Sequence, residues 1–185
     1  RGVMGAGTNR MNVYTVKLAT QALAEYLTAG GVNHAGVVLA FDSRHRSREF
    51  VEAAAAVLVG NQIPVFVFRR VTPTPLLSFA VRHFRAAGGI MITASHNPKE
   101  YNGYKAYDKD GIQLHPEDTA EISRLMAAMT FADVRQVTHP QDSLLWHWID
   151  DDVCEEYLAK LAALVRTGRD YDTGLRIVYT PLHGA

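Results

Sequence analysis

The sequence predicts an α/β fold with a largely parallel sheet. Three short apolar runs, at residues 37–41, 63–68 and 90–92, have the length and composition of buried strands. Stretches with apolar residues at helical spacing separate these runs. Because strands that alternate with helices place the return connections on the faces of the sheet, this order predicts parallel strands covered by helices.

The composition is that of an ordinary globular chain. Its 185 residues are 48% apolar, enough for one domain or for one domain and part of another. The 19 basic and 19 acidic residues cancel, which argues against binding to nucleic acids or to anionic membranes. Cys154 is the only cysteine, so no internal disulfide is expected. No apolar stretch is long enough to cross a bilayer, and we predict a cytoplasmic protein.

The chain opens with a glycine-rich segment and a helix. Residues 1–12 predict either a flexible loop or an anion cradle of backbone amides that contains Arg1 and Arg10. The apolar spacing that follows predicts a helix over residues 13–29. Gly30 and the glycine after it are a natural end for that helix.

Two strand–helix pairs come next. The apolar run at residues 37–41 precedes a polar loop and a predicted helix over residues 47–60. The run at residues 63–68 precedes a Thr-Pro-Thr-Pro turn. Thr74 in this turn is predicted to cap a helix that reaches about residue 85.

The third apolar run leads into the most informative stretch of the sequence. Residues 88–98 read Gly-Gly-Ile-Met-Ile-Thr-Ala-Ser-His-Asn-Pro. The chain turns at Asn97 because the proline that follows disfavours a helical backbone. Ser95 and His96 are therefore predicted to lie at the carboxyl end of a strand, where open α/β sheets bind their ligands.

The remaining segments predict a hairpin and two helices. Residues 104–107 and 112–114 flank an Asp-Lys-Asp-Gly turn, which favours a hairpin. A helix is predicted to begin at Pro116, with an inner face of Ile122, Leu125, Met126 and Met129.

Beyond it, residues 130–149 show no clear period, and Trp146 and Trp148 are interpreted as packing residues. A last helix follows the three aspartates that end at Asp152, with Val153, Tyr157, Leu161 and Leu164 on one face. A linker over residues 168–174 and a strand over residues 177–179 are predicted to follow.

Two chemistries could use Ser95 as a nucleophile. Acyl transfer is disfavoured, because adjacent serine and histidine side chains do not normally point at each other and the chain has no Gly-x-Ser-x-Gly elbow. Phosphoryl transfer needs positioning and positive charge more than an activated base. Four side chains could provide that charge or a proton: Arg1, Arg44, His96 and Lys105. A turn serine without chemistry is the simpler alternative.

Lys105 is a candidate acid/base group ten positions after the serine. A lysine on a hairpin is usually solvated. The flanking Tyr104 and Tyr107 could partly bury this one, and burial would lower its pKa toward the range that suits proton transfer.

Several segments resemble the α-D-phosphohexomutase family, the phosphoglucomutases and phosphomannomutases. Residues 93–98, Thr-Ala-Ser-His-Asn-Pro, resemble the phosphoserine loop of that family. The extension to Lys105 is similar to the branch with cytosolic phosphoglucomutase/phosphopentomutase-type enzymes. Further matching segments are residues 1–12, 42–44, 72–75 and 179–184.

The resemblance implies the fold and the domain boundaries. Residues 1–170 would form the first domain of the family, a three-layer α/β/α sandwich with a mixed, mostly parallel sheet and without its amino-terminal strand. Residues 171–185 would form a linker and the first strand of a second domain.

The resemblance also implies a role for each site residue. Ser95 would carry phosphate in the resting enzyme and pass it to a sugar phosphate, giving a bisphosphorylated sugar that later returns its other phosphate. Arg1 would contact the phosphoryl group, Lys105 would act as general acid/base and contact substrate, and His96 would assist by hydrogen bonding. The phosphorylated Ser95 would also supply one ligand to Mg²⁺, and glucose 1,6-bisphosphate would be the activator.

The resemblance implies partners that this chain does not contain. The Asp-Gly-Asp-x-Asp-Arg loop, which supplies three metal carboxylates in the family's second domain, has no match here, nor do the loops of the third and fourth domains. We therefore expect these 185 residues alone to be a poor or inactive mutase. A glucose phosphate is the favoured substrate. A phosphopentomutase, a sugar-bisphosphate synthase and a non-catalytic phosphate-binding module remain open as alternatives.

Overall fold

A computed structural model describes residues 1–164, 174 and 176–180. Two strands, β1 (Gly2–Val3) and β5 (Tyr101–Asn102), form a small antiparallel sheet. The main sheet consists of β2 (Val37–Phe41), β3 (Val65–Phe68), β4 (Gly88–Ile92), β6 (Tyr104–Tyr107) and β7 (Trp146–Ile149). Its strand order is β6-β4-β2-β3-β7, and its pairs are parallel except for β4 with β6. The predicted mixed, mostly parallel sheet is confirmed.

Five α-helices cover the two faces of this sheet in the described residues. They are α1 (Val13–Ala29), α2 (Ser47–Gly60), α3 (Thr74–Phe84), α4 (Pro116–Ala127) and α5 (Asp151–Leu164). One core cluster joins α1 and α2 to one face of the sheet, and a second joins α3 and the start of α5 to the other face. The three-layer α/β/α arrangement is therefore confirmed.

The central strand β2 shows why its sequence is apolar throughout. Val37 and Leu39 pack in the cluster with α1 and α2, whereas Val38 and Ala40 pack in the cluster with α3. Successive side chains of a strand point to opposite faces, so a strand covered on both faces needs an apolar residue at every position.

Several predicted elements agree with the structure, and others need correction. The helices over residues 13–29 and 47–60 and the strand over residues 37–41 have the predicted bounds. Thr74 is not a cap: α3 begins at Thr74 itself, Pro73 precedes it, and the buried Thr74 Oγ1 has no hydrogen-bond partner among the described residues.

The carboxyl-terminal half differs more from the prediction. Residues 130–149, which lack a clear period, contain the edge strand β7, and Trp146 and Trp148 do pack, edge to face. The predicted hairpin is present but short: Tyr107 and Gln113 form one antiparallel bridge, and the N–H groups of Asp108 and Leu114 donate to the carbonyls of Ile112 and Ala106. Strand β6 pairs with β4 as well. Three of the residues predicted for the inner face of α4 lie in that helix and are half-buried: Ile122, Leu125 and Met126. Met129 is also half-buried but lies beyond the end of the helix at Ala127.

The last helix is buried only where it begins. Val153 lies in the core and Tyr157 packs against it, as predicted, whereas Leu161 and Leu164 are exposed, contrary to the predicted inner face. Residues 177–179 are exposed and have no strand assignment, so the predicted strand is absent from the described structure. Most of the predicted linker lies outside the described residues, and the domain boundary at residue 170 stays a prediction. No helix in the described part of the chain has the length and apolar character needed to cross a membrane.

Candidate active site

The candidate site is built on the serine loop, residues 93–103, which follows β4 at the carboxyl edge of the main sheet. Ser95 is half-buried, and its φ of 57° lies in the left-handed region, which is uncommon for a residue other than glycine. Its backbone N–H donates to Thr93 Oγ1 at 2.9 Å. The N–H of Asn97 closes the turn by donating to the carbonyl of Ala94 at 3.1 Å. These bonds fix the direction in which the serine hydroxyl leaves the backbone.

The amino-terminal segment is attached to this loop. Strand β1 pairs with β5, and the N–H of Met4 donates to the carbonyl of Glu100 at 2.9 Å. As a result, the exposed Arg1 reaches the loop, where its Nη1 donates to Asn97 Oδ1 at 3.0 Å. Arg1 and Arg10 also line one groove. The first residues of the chain therefore form an ordered wall of the site and not a free loop.

His96 is exposed and only loosely associated with the serine. Its Nδ1 lies 3.4 Å from Ser95 Oγ, a long separation for a hydrogen bond. This geometry agrees with the sequence argument against an acyl-transfer triad, which needs the imidazole bonded to the hydroxyl.

Lys105 lies on β6, paired with Met91 of β4, and is half-buried. Burial lowers the pKa of Lys105, the positive charge of Arg1 lowers it further, and the carboxylate of Asp42 acts in the opposite direction. The predicted direction of this shift is confirmed. The structure thus brings Ser95, Arg1 and Lys105 to one edge of the sheet.

Arg44 does not have the role that its charge suggested, which was to supply positive charge to a bound phosphate. Its guanidinium donates to main-chain carbonyls of the serine loop and pairs with Asp42, so it is not a free charge for a ligand. The sequence signal for this was the Asp-Ser-Arg run directly after β2, the strand next to β4 in the sheet. Sequence reasoning noted the arginine but missed its carbonyl partners.

The described residues do not by themselves fit a magnesium ion. They contain no group of three or more His, Cys, Asp or Glu side chains that could hold a metal. The nearby carboxylate of Asp42 is engaged by Arg44 and by the hydroxyl of Ser47. Mg²⁺ favours an octahedron of oxygen ligands, and the described residues at this edge gather no carboxylate cluster that would supply them.

Fold and site together define an α/β domain with a serine loop at the carboxyl edge of its sheet. Arg1 is bound to this loop, and Lys105 lies on the strand beside β4. Such an edge suits an anionic ligand, because the positive charges of Arg1 and Lys105 can offset the negative charge of the ligand. Residues 1–133 match the family model "Phosphoglucomutase/phosphomannomutase, alpha/beta/alpha domain I". This chain belongs to the phosphoglucomutase/phosphomannomutase family, through the first domain of that family.

Individual relatives agree with this assignment. A phosphoglucomutase of Staphylococcus epidermidis is 40% identical over 187 residues, which cover 100% of this chain and 34% of the relative. A phosphoglucomutase of Staphylococcus aureus is 37% identical, with 33% of its length covered. A solved structure of a candidate phosphomannomutase from Thermus thermophilus matches with a TM-score of 0.69 and 31% identity, over 84% of this chain and 33% of that one. The chain thus spans about a third of the length of these relatives.

Proposed function

We propose that this chain is the phosphoserine domain of a sugar-phosphate mutase that interconverts sugar 1-phosphate and 6-phosphate through a bisphosphorylated sugar. The observation that carries the proposal is Ser95, held in a left-handed backbone at the edge of the sheet beside Arg1 and Lys105. Family membership supports it, because the curated relatives carry the name phosphoglucomutase. We expect a cytoplasmic location, from the single cysteine and the composition.

In this proposal, Ser95 Oγ alternately gives and receives a phosphoryl group. When the bond between phosphorus and Ser95 Oγ breaks, phosphorus bonds to the oxygen of a sugar hydroxyl. Ser95 Oγ, the leaving oxygen, must gain a proton, and the sugar hydroxyl must lose its own. A lysine with a lowered pKa is neutral more often and can accept this proton, which is the part we assign to Lys105. The lysine then passes the proton to Ser95 Oγ. In the return step Ser95 Oγ loses that proton as it bonds to the phosphorus of the other phosphate, and the lysine gives the proton to the sugar oxygen that is released.

Arg1 and His96 have supporting parts. Arg1 would neutralise the phosphoryl oxygens during transfer, and His96 would donate a hydrogen bond to the phosphorylated serine. A magnesium ion, when bound, would further offset the phosphoryl charge. Beyond one phosphoserine oxygen its ligands would come from outside the described residues, and so would most of the sugar-binding surface. Glucose is the favoured sugar because the curated relatives named above are phosphoglucomutases.

The test is transfer of phosphate from glucose 1,6-bisphosphate with Mg²⁺, followed by intact-mass spectrometry. We expect a mass gain of one phosphoryl group that disappears in Ser95→Ala and persists in Ser43→Ala, an exposed serine of the neighbouring loop. Binding of inorganic phosphate without this mass gain would favour the non-catalytic module instead. In a glucose 1-phosphate to glucose 6-phosphate assay, we expect the 185 residues alone to turn over poorly.

A further inference from the structure

One arginine side chain holds the serine loop by its main chain. The side chain of Arg44 is only 9% exposed. Its Nη2 donates to the carbonyls of Ser95 and Asn97, both at 2.6 Å. Its Nη1 donates to the carbonyls of Pro98 at 2.8 Å and Tyr101 at 3.2 Å. All four acceptors belong to the serine loop, which has little regular secondary structure to satisfy them.

The guanidinium of Arg44 is itself held in place by the carboxylate of Asp42. Arg44 Nε lies 3.3 Å from Asp42 Oδ2, and the side chain of Asp42 is 14% exposed. The other carboxylate oxygen, Oδ1, accepts from the N–H of Arg44 at 3.0 Å and from Ser47 Oγ at 2.8 Å. Asp42 follows β2 and Ser47 begins α2, so the residues that hold the guanidinium of Arg44 are attached to regular elements of the fold.

We propose that Arg44 is a positioning residue for phosphoryl transfer at Ser95, a claim that rests on the proposed function above. The left-handed backbone of Ser95 is unfavourable for a residue with a side chain and persists only where its surroundings impose it. Arg44 imposes it by binding the carbonyl of Ser95 itself and the carbonyls on the far side of the turn. It thereby fixes Ser95 Oγ without contacting the sugar phosphate.

A lysine cannot reproduce this arrangement. Arginine presents five N–H donors in a planar fork, and Arg44 uses this fork to bind four carbonyls while it forms an ion pair with one carboxylate. A lysine ammonium has three donors at a single point, so Arg44→Lys keeps the charge but leaves loop carbonyls without partners. The serine loop would then sample other conformations while the charge of the site is unchanged.

The first test follows Ser95 phosphorylation of the 185-residue chain by intact mass, over a range of glucose 1,6-bisphosphate concentrations. For Arg44→Lys we expect the maximal rate to fall about tenfold or more, since small misplacements of a reacting group slow transfer strongly. The half-saturating concentration should stay the same, because Arg44 does not touch the ligand. The matched control is Arg48→Lys, an exposed arginine on α2, which should leave both values unchanged.

The second test does not depend on phosphoryl transfer. Hydrogen exchange followed by mass spectrometry should show faster exchange in Arg44→Lys for a peptide covering residues 94–103 and unchanged exchange in α4. If the unaltered chain takes up no phosphate, the proposed function fails, and this exchange measurement alone decides whether Arg44 holds the loop.

Clear outcomes would overturn the inference. The inference is wrong if Arg44→Lys is phosphorylated at the rate of the unaltered chain, or if only the half-saturating concentration changes. It is also wrong if hydrogen exchange in the serine loop is unchanged. If circular dichroism shows that Arg44→Lys does not fold, Asp42→Asn takes its place, because it weakens the anchor and keeps the four carbonyl bonds. That variant should show a smaller rate loss and a smaller rise in loop exchange, and an unchanged rate and exchange would contradict the proposal.

Discussion

Arg1 Nη1 donates a hydrogen bond to Asn97 Oδ1 at 3.0 Å across 96 positions of sequence. The pairing of β1 with β5 makes this contact possible, because it lays the amino-terminal segment along the serine loop. The contact holds an otherwise exposed arginine against the serine loop, where the proposed function requires positive charge.

Asn97→Ala tests what that contact does. Without the acceptor, Arg1 samples more conformations, and an exposed hydrogen bond to a charged group contributes about 0.5–1 kcal/mol. We therefore expect the half-saturating concentration of glucose 1,6-bisphosphate in Ser95 phosphorylation to rise about two- to fivefold. Asn33→Ala, in a connection remote from the loop, is the control. An unchanged half-saturating concentration would contradict the proposal that Arg1, held by Asn97, contacts the phosphoryl group.

Lys105→Met tests the lowered pKa of Lys105. Because the folded state disfavours the charged form of this lysine, the charge opposes folding at neutral pH. In the folded chain Lys105 loses its proton at a lower pH than in the unfolded chain. The stability of the unaltered chain relative to the variant therefore rises as the pH increases from the folded pKa of Lys105 to its unfolded pKa near 10.5. We expect the Tm of Lys105→Met to exceed that of the unaltered chain at pH 7, and the difference to shrink toward pH 10.5.

The same variant should lose phosphoryl transfer. General acid/base groups typically contribute a factor of about 10²–10⁴ to the rate. For Lys105→Met we expect the rate of Ser95 phosphorylation to fall by a factor at the lower end of this range. Lys109→Met, in the exposed turn after β6, is the control for both measurements. A Tm difference that does not change with pH would show that Lys105 titrates as an ordinary surface lysine.

Tyr26→Phe tests the contact between α1 and α4. Tyr26 Oη donates to Asp118 Oδ1 at 2.7 Å, and this bond, followed by burial, raises the pKa of Tyr26 to about 12. A raised tyrosine pKa gives stability that is fully present below pH 10 and is lost as the pH rises through about 12.

We expect the Phe variant to lose about 1 kcal/mol in denaturant unfolding at pH 8, and the loss to diminish above pH 10. Tyr14→Phe, an exposed tyrosine on the same helix, should change little. Equal effects of the two substitutions would refute the assigned bond.

Gly103→Ala tests the close approach behind the serine loop. A Cβ at Gly103 would lie 2.6 Å from the backbone oxygen of Thr93 and 3.1 Å from Arg1 Cγ. Because a backbone atom cannot move aside without shifting the loop, we expect a loss of about 1–3 kcal/mol in the free energy of unfolding. At Gly30 the nearest atoms would be at 3.6 Å, so Gly30→Ala should be nearly neutral or stabilising. Similar losses in both variants would contradict the assigned crowding.

The sequence was most informative where local patterns are strong. The run of residues 37–41 is apolar throughout because β2 is covered on both faces, so its bounds could be read directly. Strand β7 was missed because it has only four residues, the exposed His147 interrupts its apolar run, and it follows a stretch without periodicity. Its pairing with β3 is a tertiary fact that no local signal carries.

The same limit applies to the candidate site. Ser95 could be found from the strand that precedes it and the Asn-Pro turn that follows it. The burial of Lys105 was a reasonable expectation from its tyrosine neighbours. The hydrogen bonds from Arg44 to the serine loop join residues more than 50 positions apart, and they depend on β2 and β4 lying side by side in the sheet.

The most direct measurement of the central claim is the location and the fate of the phosphate. After incubation with glucose 1,6-bisphosphate and Mg²⁺, tandem mass spectrometry of peptides should place one phosphoryl group on Ser95 and none on Ser43 or Thr93. Addition of glucose 6-phosphate should then remove that group and form glucose 1,6-bisphosphate. A folded chain that takes up no phosphate, or carries it on a residue other than Ser95, would contradict the account.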